Sequence, residues 1–533
     1  MRKWTEKKRK RMEKTVNKDR TDKLFLYNRF FLFLTCALLQ AVGFVALWVL
    51  FVYNSAVGVS VQLIIGVLEL VFVLYIINQT DRPSGRLNWI LLILIVPVIG
   101  VPMYLAYGEG RATRKMRKKI EKSQAELQRL AEEAFGKKDL PPADTRSDAL
   151  GRYISLYGGY PSYTDGDVEY FNDGAKAYEK ILEALRSAEK YILLDYFIIA
   201  PGKMWGEIRK ILLEKAEKGV KVRIIYDDFG CMMTLPPKYD KYLEQLHENV
   251  KCMTFNDVVP VFAVRMNNRD HRKILVVDGE VAFTGGFNLA DEYIGEKKRF
   301  GHWKDSGVRI TGNAVRSFVF MFFYIWNAFR ADRENALDYL PTITERREKG
   351  KEFLRIQPYD DSPVDKNNVG ESVYVDIINR AKRYVYIFTP YLILDDYMRM
   401  SLCHAAARGV DVRIVTPGIP DKKTIYRLTR ANYMPLLKHG VKIYEYTPGF
   451  IHAKSMVCDD ECAVVGTINL DYRSLYLHFE NAVYFSGCQA VADVKQDCEE
   501  TFALSKLCTV ENCKRGIFGR LTDSLLRVFE TLF

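Results

Sequence analysis

The stretch His271-Arg-Lys273-Ile-Leu-Val-Val-Asp278-Gly-Glu-Val-Ala-Phe-Thr-Gly285-Gly-Phe-Asn288 decides how this chain is read. Its spacing returns 181 residues later as His452-Ala-Lys454-Ser-Met-Val-Cys-Asp459, followed by Gly466-Thr-Ile-Asn469. In both copies His and Lys are two apart, Asp follows five after the Lys, and Gly and Asn follow seven and ten after the Asp. Asp278-Gly279 is a hairpin signal between the apolar runs 274–277 and 281–283, so each copy reads as a strand, a tight turn and a strand. Alternate residues of a strand share a face, which makes His271 project with Lys273 and His452 with Lys454.

Outward from these copies the chain repeats itself. Ala175–Ala188 is amphipathic, Tyr191–Ile199 is an apolar run, Met204–Lys218 has helical spacing and Val220–Tyr226 reads as a buried strand. The order returns in Ser372–Arg383, Tyr384–Thr389, Tyr397–Arg408 and Val410–Val415, and Lys218-Gly-Val-Lys-Val-Arg-Ile-Ile is echoed by Arg408-Gly-Val-Asp-Val-Arg-Ile-Val. Alternating helices and strands predict an α/β fold: two pseudo-symmetric repeats with central mixed sheets, over 151–340 and 350–512. A charged helix with Met116, Ile120, Leu127 and Leu130 on one face, then a Pro141-Pro142 linker, fill 109–150. Over 513–533, Phe518, Leu521, Leu525, Phe529 and Leu532 fall on one helical face, which reads as interfacial.

The N-terminal part differs in composition. Residues 1–20 hold ten Lys/Arg against three acids, within a basic tail assigned to 1–23. Residues 24–108 form a membrane region with spans near 30–53, 56–77 and 87–106. Phe30 to Tyr53 runs 24 residues without a charge, enough for a hydrocarbon core of about 30 Å. The second segment is interrupted by Glu69, and the third by Pro97, Gly100 and Pro102. The tail, Arg82, Arg86 and the six basic residues of Arg111–Lys119 all belong on the cytoplasmic side, so the third segment is read as re-entrant or shallow. The catalytic region then faces the cytoplasm.

The 533-residue length fits several units, and the net charge of +12 fits attraction to anionic phosphates of lipid or nucleic acid. Ten cysteines without a CxxC exclude a zinc-ribbon or disulfide scaffold and read as reduced thiols.

Two imidazoles, two ammonium groups and no carboxylate pair point to phosphoryl chemistry on a phosphodiester. One His attacks phosphorus, the other protonates the leaving oxygen, and the lysines neutralise the non-bridging oxygens. No metal or other cofactor is expected, because Lys is not a usual ligand and neither copy adds thiols or carboxylates at ligand spacing.

The doubled pattern resembles the HxKxxxxDxxxxxxG[GST]xN motif of the phospholipase D superfamily. Asn268 to Gly279, Gly285 to Tyr293, His302-Trp-Lys-Asp305, Gly449 to Lys454 and Asn469-Leu-Asp-Tyr-Arg-Ser474 extend the likeness to bacterial cardiolipin synthases, from about residue 87 to the end. Trp89, Pro97, Gly100, Tyr104 and Gly108 are similar to that family's short membrane-proximal domain.

The resemblance implies that His271 takes a phosphatidyl group from one phosphatidylglycerol and passes it to a second, with His452 as acid and then base. Lys273, Lys454, Asn288 and Asn469 are implied to hold the phosphate. In such families a downstream acid orients each His through its second ring nitrogen, and Asp305 and Glu480 occupy the matching positions. Asp278 and Asp459 complete the catalytic motifs and are read as setting turn and backbone rather than touching substrate. Three departures stand out: Lys304 where Arg is usual, Thr467 for Ser, and His478 for Asn. Lipid hydrolysis and phosphatidylserine synthesis are the alternatives that the same motifs serve. A nuclease is disfavoured by the apolar segments and by the lack of aromatics interleaved with base-reading positive residues, so an anionic lipid in a membrane is the expected partner, and nucleic acid is not.

Overall fold

The computed structural model describes residues 58–78, 86–95, 114–135, 146–258, 267–340, 354–364 and 367–528, with single positions between 38 and 105 and residue 530. The basic tail and most of 30–53 lie outside the described residues. Helix α1 (Gly58–Asn78) and helix α2 (Arg86–Ile95) pack through Ile76, Trp89, Ile93 and Tyr104. Their outer faces expose Leu63, Ile64, Val67, Leu87 and Ile95. Among the described residues no helix is long and apolar enough to cross a membrane, and α2 stops after 10 residues. The rest of the third apolar segment, with Pro97 and Pro102, lies largely outside the described residues.

Helix α3 (Arg114–Phe135) turns Met116, Ile120 and Leu127 into the core of the body. In the first repeat come strand β1 (Val168–Phe171), helix α4 (Gly174–Ser187), strand β2 (Tyr191–Tyr196), helix α5 (Lys203–Glu217), and strands β3 (Lys221–Asp227), β4 (Val250–Phe255), β5 (Lys273–Val277), β6 (Val281–Gly285), β7 (His302–Lys304) and β8 (Gly307–Thr311). The largely buried, mostly apolar helix α6 (Val315–Phe329) closes it. The second repeat has β9 (Arg355–Asp361), α7 (Val369–Arg380), β10 (Tyr384–Phe388), α8 (Asp396–Ala407), β11 (Asp411–Pro417), α9 (Lys423–Ala431), β12 (Lys442–Tyr446), β13 (Gly449–Ile451), β14 (Ser455–Cys458), β15 (Cys462–Gly466), β16 (Glu480–Ser486), α10 (Gln489–Ala503) and β17 (Ser505–Leu507).

The sheets are ordered β1-β8-β6-β5-β2-β3-β4 and β17-β12-β11-β10-β14-β15-β16-β9. In each, three strands are parallel (β2, β3, β4; β10, β11, β12) and a motif hairpin joins antiparallel (β5, β6; β14, β15). This is the mixed α/β pair expected from the repeat. The turn residues adopt positive φ where the hairpin needs it: Asp278 at 53° and Gly279 at 72°, with Asp459 at 54° and Asp460 at 61° in the second copy.

The repeats are joined by main chain as well as by packing. Strands β7 and β13, one from each repeat, form a two-stranded parallel sheet. A single apolar core runs from Met116 through α6 to both sheets.

Helix α11 (Ile517–Val528) lies against α9. Asp523 accepts from Arg427 and Arg515 at 2.9 Å each, and Asn88 Nδ2 donates to Arg527 O at 3.3 Å. Its other face leaves Ile517, Phe518 and Leu521 exposed, Phe518 at 86%. The helix therefore packs on the body and still presents an apolar face. Phe529 and Leu532 lie outside the described residues.

Candidate active site

The motif segments precede strands that are buried on both faces, so the polar side chains entering them are forced into a shared polar centre. Lys273 opens β5 opposite Tyr196, and Lys454 stands just before β14. His271 and His452 are 7% and 8% exposed, and both lysines are fully buried. Each ammonium donates to the carbonyl of the His two residues earlier: Lys273 Nζ to His271 O at 2.5 Å, and Lys454 Nζ to His452 O.

Each histidine is held by the opposite repeat and not, as the motif order implies, by the acid that follows it in its own: the acids are exchanged because the two motif segments meet across the repeat interface. His271 N donates to Phe479 O at 2.8 Å, and its Nδ1 lies 2.9 and 3.0 Å from the two oxygens of Glu480. His452 N donates to Lys304 O at 2.7 Å, and its Nδ1 lies 2.8 Å from Asp305 Oδ2. In both cases the residue before the acid takes the histidine's main-chain N–H and the acid takes the ring. A carboxylate on Nδ1 places the ring proton there and leaves the Nε2 lone pair free. Lys454 Nζ also lies 2.8 Å from His452 Nδ1, but an ammonium has only protons to offer and already donates to the carbonyl, so Asp305 decides the tautomer.

The two dyads share one field. Burial, with Lys273, His478 and Lys454 close by, holds His271 well below the usual imidazole range. Burial and Lys454 bring His452 down to about 4 against the pull of Asp305. Burial lowers Lys273 to about 8 and Lys454 to about 7. It also pushes the Glu480 carboxyl up, against Lys273. Desolvation penalises charge on every member, so the site at rest favours neutral rings beside partly ionised ammonium groups.

Asp278 and Asp459 do not enter this centre. Asp278 accepts from the amides of Glu189, Lys190 and Tyr191 at 2.7, 2.8 and 2.7 Å, and Asp459 from those of Lys382, Arg383 and Tyr384 at 2.7, 2.8 and 2.8 Å. Each ties its hairpin turn to the start of the neighbouring strand. Asn288 accepts from Ile198 N at 3.0 Å and donates to Tyr293 OH at 2.6 Å, while Asn469 Nδ2 donates to Ser474 Oγ at 2.9 Å and its buried Oδ1 has no hydrogen-bond partner.

The departures have local accounts. Thr467 Oγ1 donates to Glu480 Oε2 at 2.5 Å, so a hydroxyl fixes the acid that holds His271. Gly286 stands at the matching position of the first copy, where a Cβ would lie 1.9 Å from Asp305 Oδ1. Lys304 Nζ pairs with Asp497 at 2.6 Å and pins β7 to α10. His478 Nδ1 lies 3.7 Å from Glu480 Oε1, and its ring centroid is 5.6 Å from that of His271.

Several residues around the site escaped the motif reading. Arg272 points away from His271, is fully buried, and is gripped by Asp270 through two 2.8 Å bonds and by Asp195 through one. Asn481 takes Lys273 N at 3.3 Å and donates to Thr284 Oγ1 at 2.8 Å across the repeats. Phe197 stands beside His271 with centroids 4.9 Å apart, and Trp303 and Tyr293 flank His452 at 5.5 and 5.7 Å. Alternation along the strand assigns Arg272 to the other face with Asp270, but its partner Asp195, 77 residues away, is not encoded in any local spacing.

The family model of the cardiolipin synthase, phospholipase D-like domain matches residues 181–299 and 374–502, and the phospholipase D-nuclease N-terminal model matches 67–109. An uncharacterized protein of Streptococcus mutans is 44% identical over 82% of this chain and 94% of its own length. The cardiolipin synthase of Alkalihalophilus pseudofirmus is 32% identical over 94% of this chain and 98% of its own, and that of Geobacillus kaustophilus 31% over 87% and 92%. The crystal structure of Haemophilus influenzae phosphatidylserine synthase shares the fold at 15% identity with a TM-score of 0.55, covering 73% of this chain and 98% of that one. The doubled motif, the paired sheets and these relatives agree: the chain belongs to the bacterial cardiolipin synthase family of the phospholipase D superfamily.

Proposed function

We infer that the chain is a cardiolipin synthase, transferring a phosphatidyl group from one phosphatidylglycerol to another with release of glycerol. The observation that carries the reading is the crossed pair of dyads, His271 with Glu480 and His452 with Asp305, each with a lysine beside it. His271 Nε2 attacks phosphorus while the bond to the glycerol oxygen breaks, and His452 Nε2–H gives that oxygen its proton. The acceptor's hydroxyl then loses its proton to His452, bonds to phosphorus and releases His271. The proton count closes over the cycle, and Glu480 stabilises the cationic phosphohistidine between the two steps.

His452 has to be protonated for the first step, although it rests low. Burial holds it down first, then repulsion from Lys454 and Lys273; an anionic phosphodiester entering between the lysines offsets the repulsive part, so proton uptake accompanies lipid binding. The lysines keep the non-bridging oxygens neutralised as charge builds. Asn288 and Asn469 each have an amide hydrogen beyond the one already donated, which suits a phosphate oxygen.

The membrane region 24–108 anchors the enzyme as a multi-pass segment with the catalytic body in the cytoplasm. The apolar outer faces of α1 and α2 and the exposed face of α11 support this, since α11 meets α2 at Asn88 and so lies beside the anchor. Membranes carrying the protein are incubated with labelled phosphatidylglycerol, with His271→Ala as control. Cardiolipin with equimolar glycerol is expected. Phosphatidic acid as sole product would replace this reading by a hydrolase, and an unchanged rate in His271→Ala would end it.

A further inference from the structure

We propose that His271, His478 and Glu480 form a binding site for a borderline transition-metal ion of the zinc type, and that the bound ion switches the enzyme off. The ligand atoms of the three residues all lie within 4.8 Å of one another. Glu480 is in contact with both rings, at 2.9 Å from His271 Nδ1 and 3.7 Å from His478 Nδ1. The His478 side chain is 12% exposed, and among the described residues neither of its ring nitrogens has a hydrogen-bond partner. A buried imidazole with two unused nitrogens beside a carboxylate and a second imidazole is a ligand set waiting for an acceptor of lone pairs.

The donor chemistry selects the ion. Two imidazole nitrogens and one carboxylate oxygen suit zinc and its neighbours in a tetrahedral site with the fourth position left to water, whereas magnesium and calcium want oxygen cages. Zinc bonds of about 2.0–2.1 Å put donors roughly 3.4 Å apart, so small ring rotations close the present spacing. Lys273, Arg473 and Arg269 lie around the rings and oppose a divalent charge, which makes the ion an exchangeable one rather than a resident cofactor.

The inhibitory consequence rests on His271 being the nucleophile. An ion on Nδ1 replaces the hydrogen bond to Glu480 and moves the ring proton to Nε2, so the lone pair that attacks phosphorus is gone. The lysines are untouched, so lipid binding survives. Turnover should fall while KM holds.

The test uses the full chain in detergent micelles with Zn2+ alone. Equilibrium dialysis should find one ion per chain, and kcat for cardiolipin formation should drop with KM for phosphatidylglycerol changed by less than about twofold. Measured against its own metal-free rate, His478→Asn should need about tenfold more zinc or higher for half-inhibition, and His478→Gln guards against a folding defect of the first variant. Equal zinc sensitivity in wild type and both variants, or no zinc bound to the wild type, overturns the proposal. Zinc bound in wild type and lost in both variants, in a protein that makes no cardiolipin, would sink the functional reading and leave the site standing.

Discussion

Asp305 belongs to the first repeat and holds His452 of the second, at 2.8 Å from its Nδ1. Glu480 returns the relation, reaching back to His271 at 2.9 Å. Neither repeat contains a complete histidine and acid pair of its own.

Replacing Asp305 by Asn keeps the shape and offers the ring a donor as readily as an acceptor, so the tautomer at His452 is no longer fixed. The expected loss in kcat is about 10²- to 10⁴-fold, with KM for phosphatidylglycerol little changed. Steady-state kinetics on mixed micelles measures both. A rise in KM at constant kcat would show that Asp305 touches lipid instead.

Gly286→Ala tests the same acid from behind. The added methyl meets Asp305 Oδ1 at 1.9 Å and must move it. Activity should fall at least about tenfold, the equivalent of roughly 1.4 kcal/mol in the barrier, while the protein stays folded by circular dichroism. In the second copy, Thr467→Ser should be close to neutral and Thr467→Val should cost a similar factor, because the hydroxyl donates to Glu480 at 2.5 Å.

Binding of phosphatidylglycerol should weaken as pH rises. Lys454 and Lys273 are lowered to about 7 and about 8, so each loses its charge as pH climbs through those values, and with it the attraction for the phosphate. KM measured at constant ionic strength should increase between pH 7 and 9. A KM flat over that window would mean the ammonium groups stay charged without substrate.

Asp278→Ala and Asp459→Ala should act on stability before chemistry. Each removes a carboxylate that satisfies three backbone N–H groups, and charge-assisted bonds of this kind contribute about 1.5–3 kcal/mol each before neighbours rearrange. A net loss of about 2–4 kcal/mol is expected, read as a lower thermal midpoint in detergent. Turnover of the fraction that stays folded should change much less than in the Asp305 variant.

Phe518→Asp with Leu521→Asp probes the exposed face of α11. Each change removes an apolar side chain worth about 1.5–3 kcal/mol on full burial. Turnover on phosphatidylglycerol vesicles should drop, while turnover on a short-chain, micellar phosphatidylglycerol should not. Equal loss on both substrates would place the face against protein.

Local order in the chain reports local structure well. The apolar runs 274–277 and 281–283, the turn at Asp278-Gly279 and the helix and strand order around them lie where the pattern puts them. The candidate site residues are recognisable by type and spacing, and the role of Asp278 as a backbone tie follows from its place at the turn. What spacing does not carry is the pairing of groups 209 and 147 residues apart, such as Glu480 with His271 and Asp305 with His452. Lys304 with Asp497 and Asn481 with Thr284 are invisible for the same reason, since tertiary contact and not periodicity selects those partners.

The exchange of acids between repeats also binds their histories together. A duplicated domain usually leaves one copy free to drift while the other keeps the work. Here a change at residue 305 is felt at residue 452, and a change at 480 is felt at 271, so a lesion in either copy silences the other. Two such halves work only when assembled against each other, because apart each would have an acid without its histidine and a histidine without its acid.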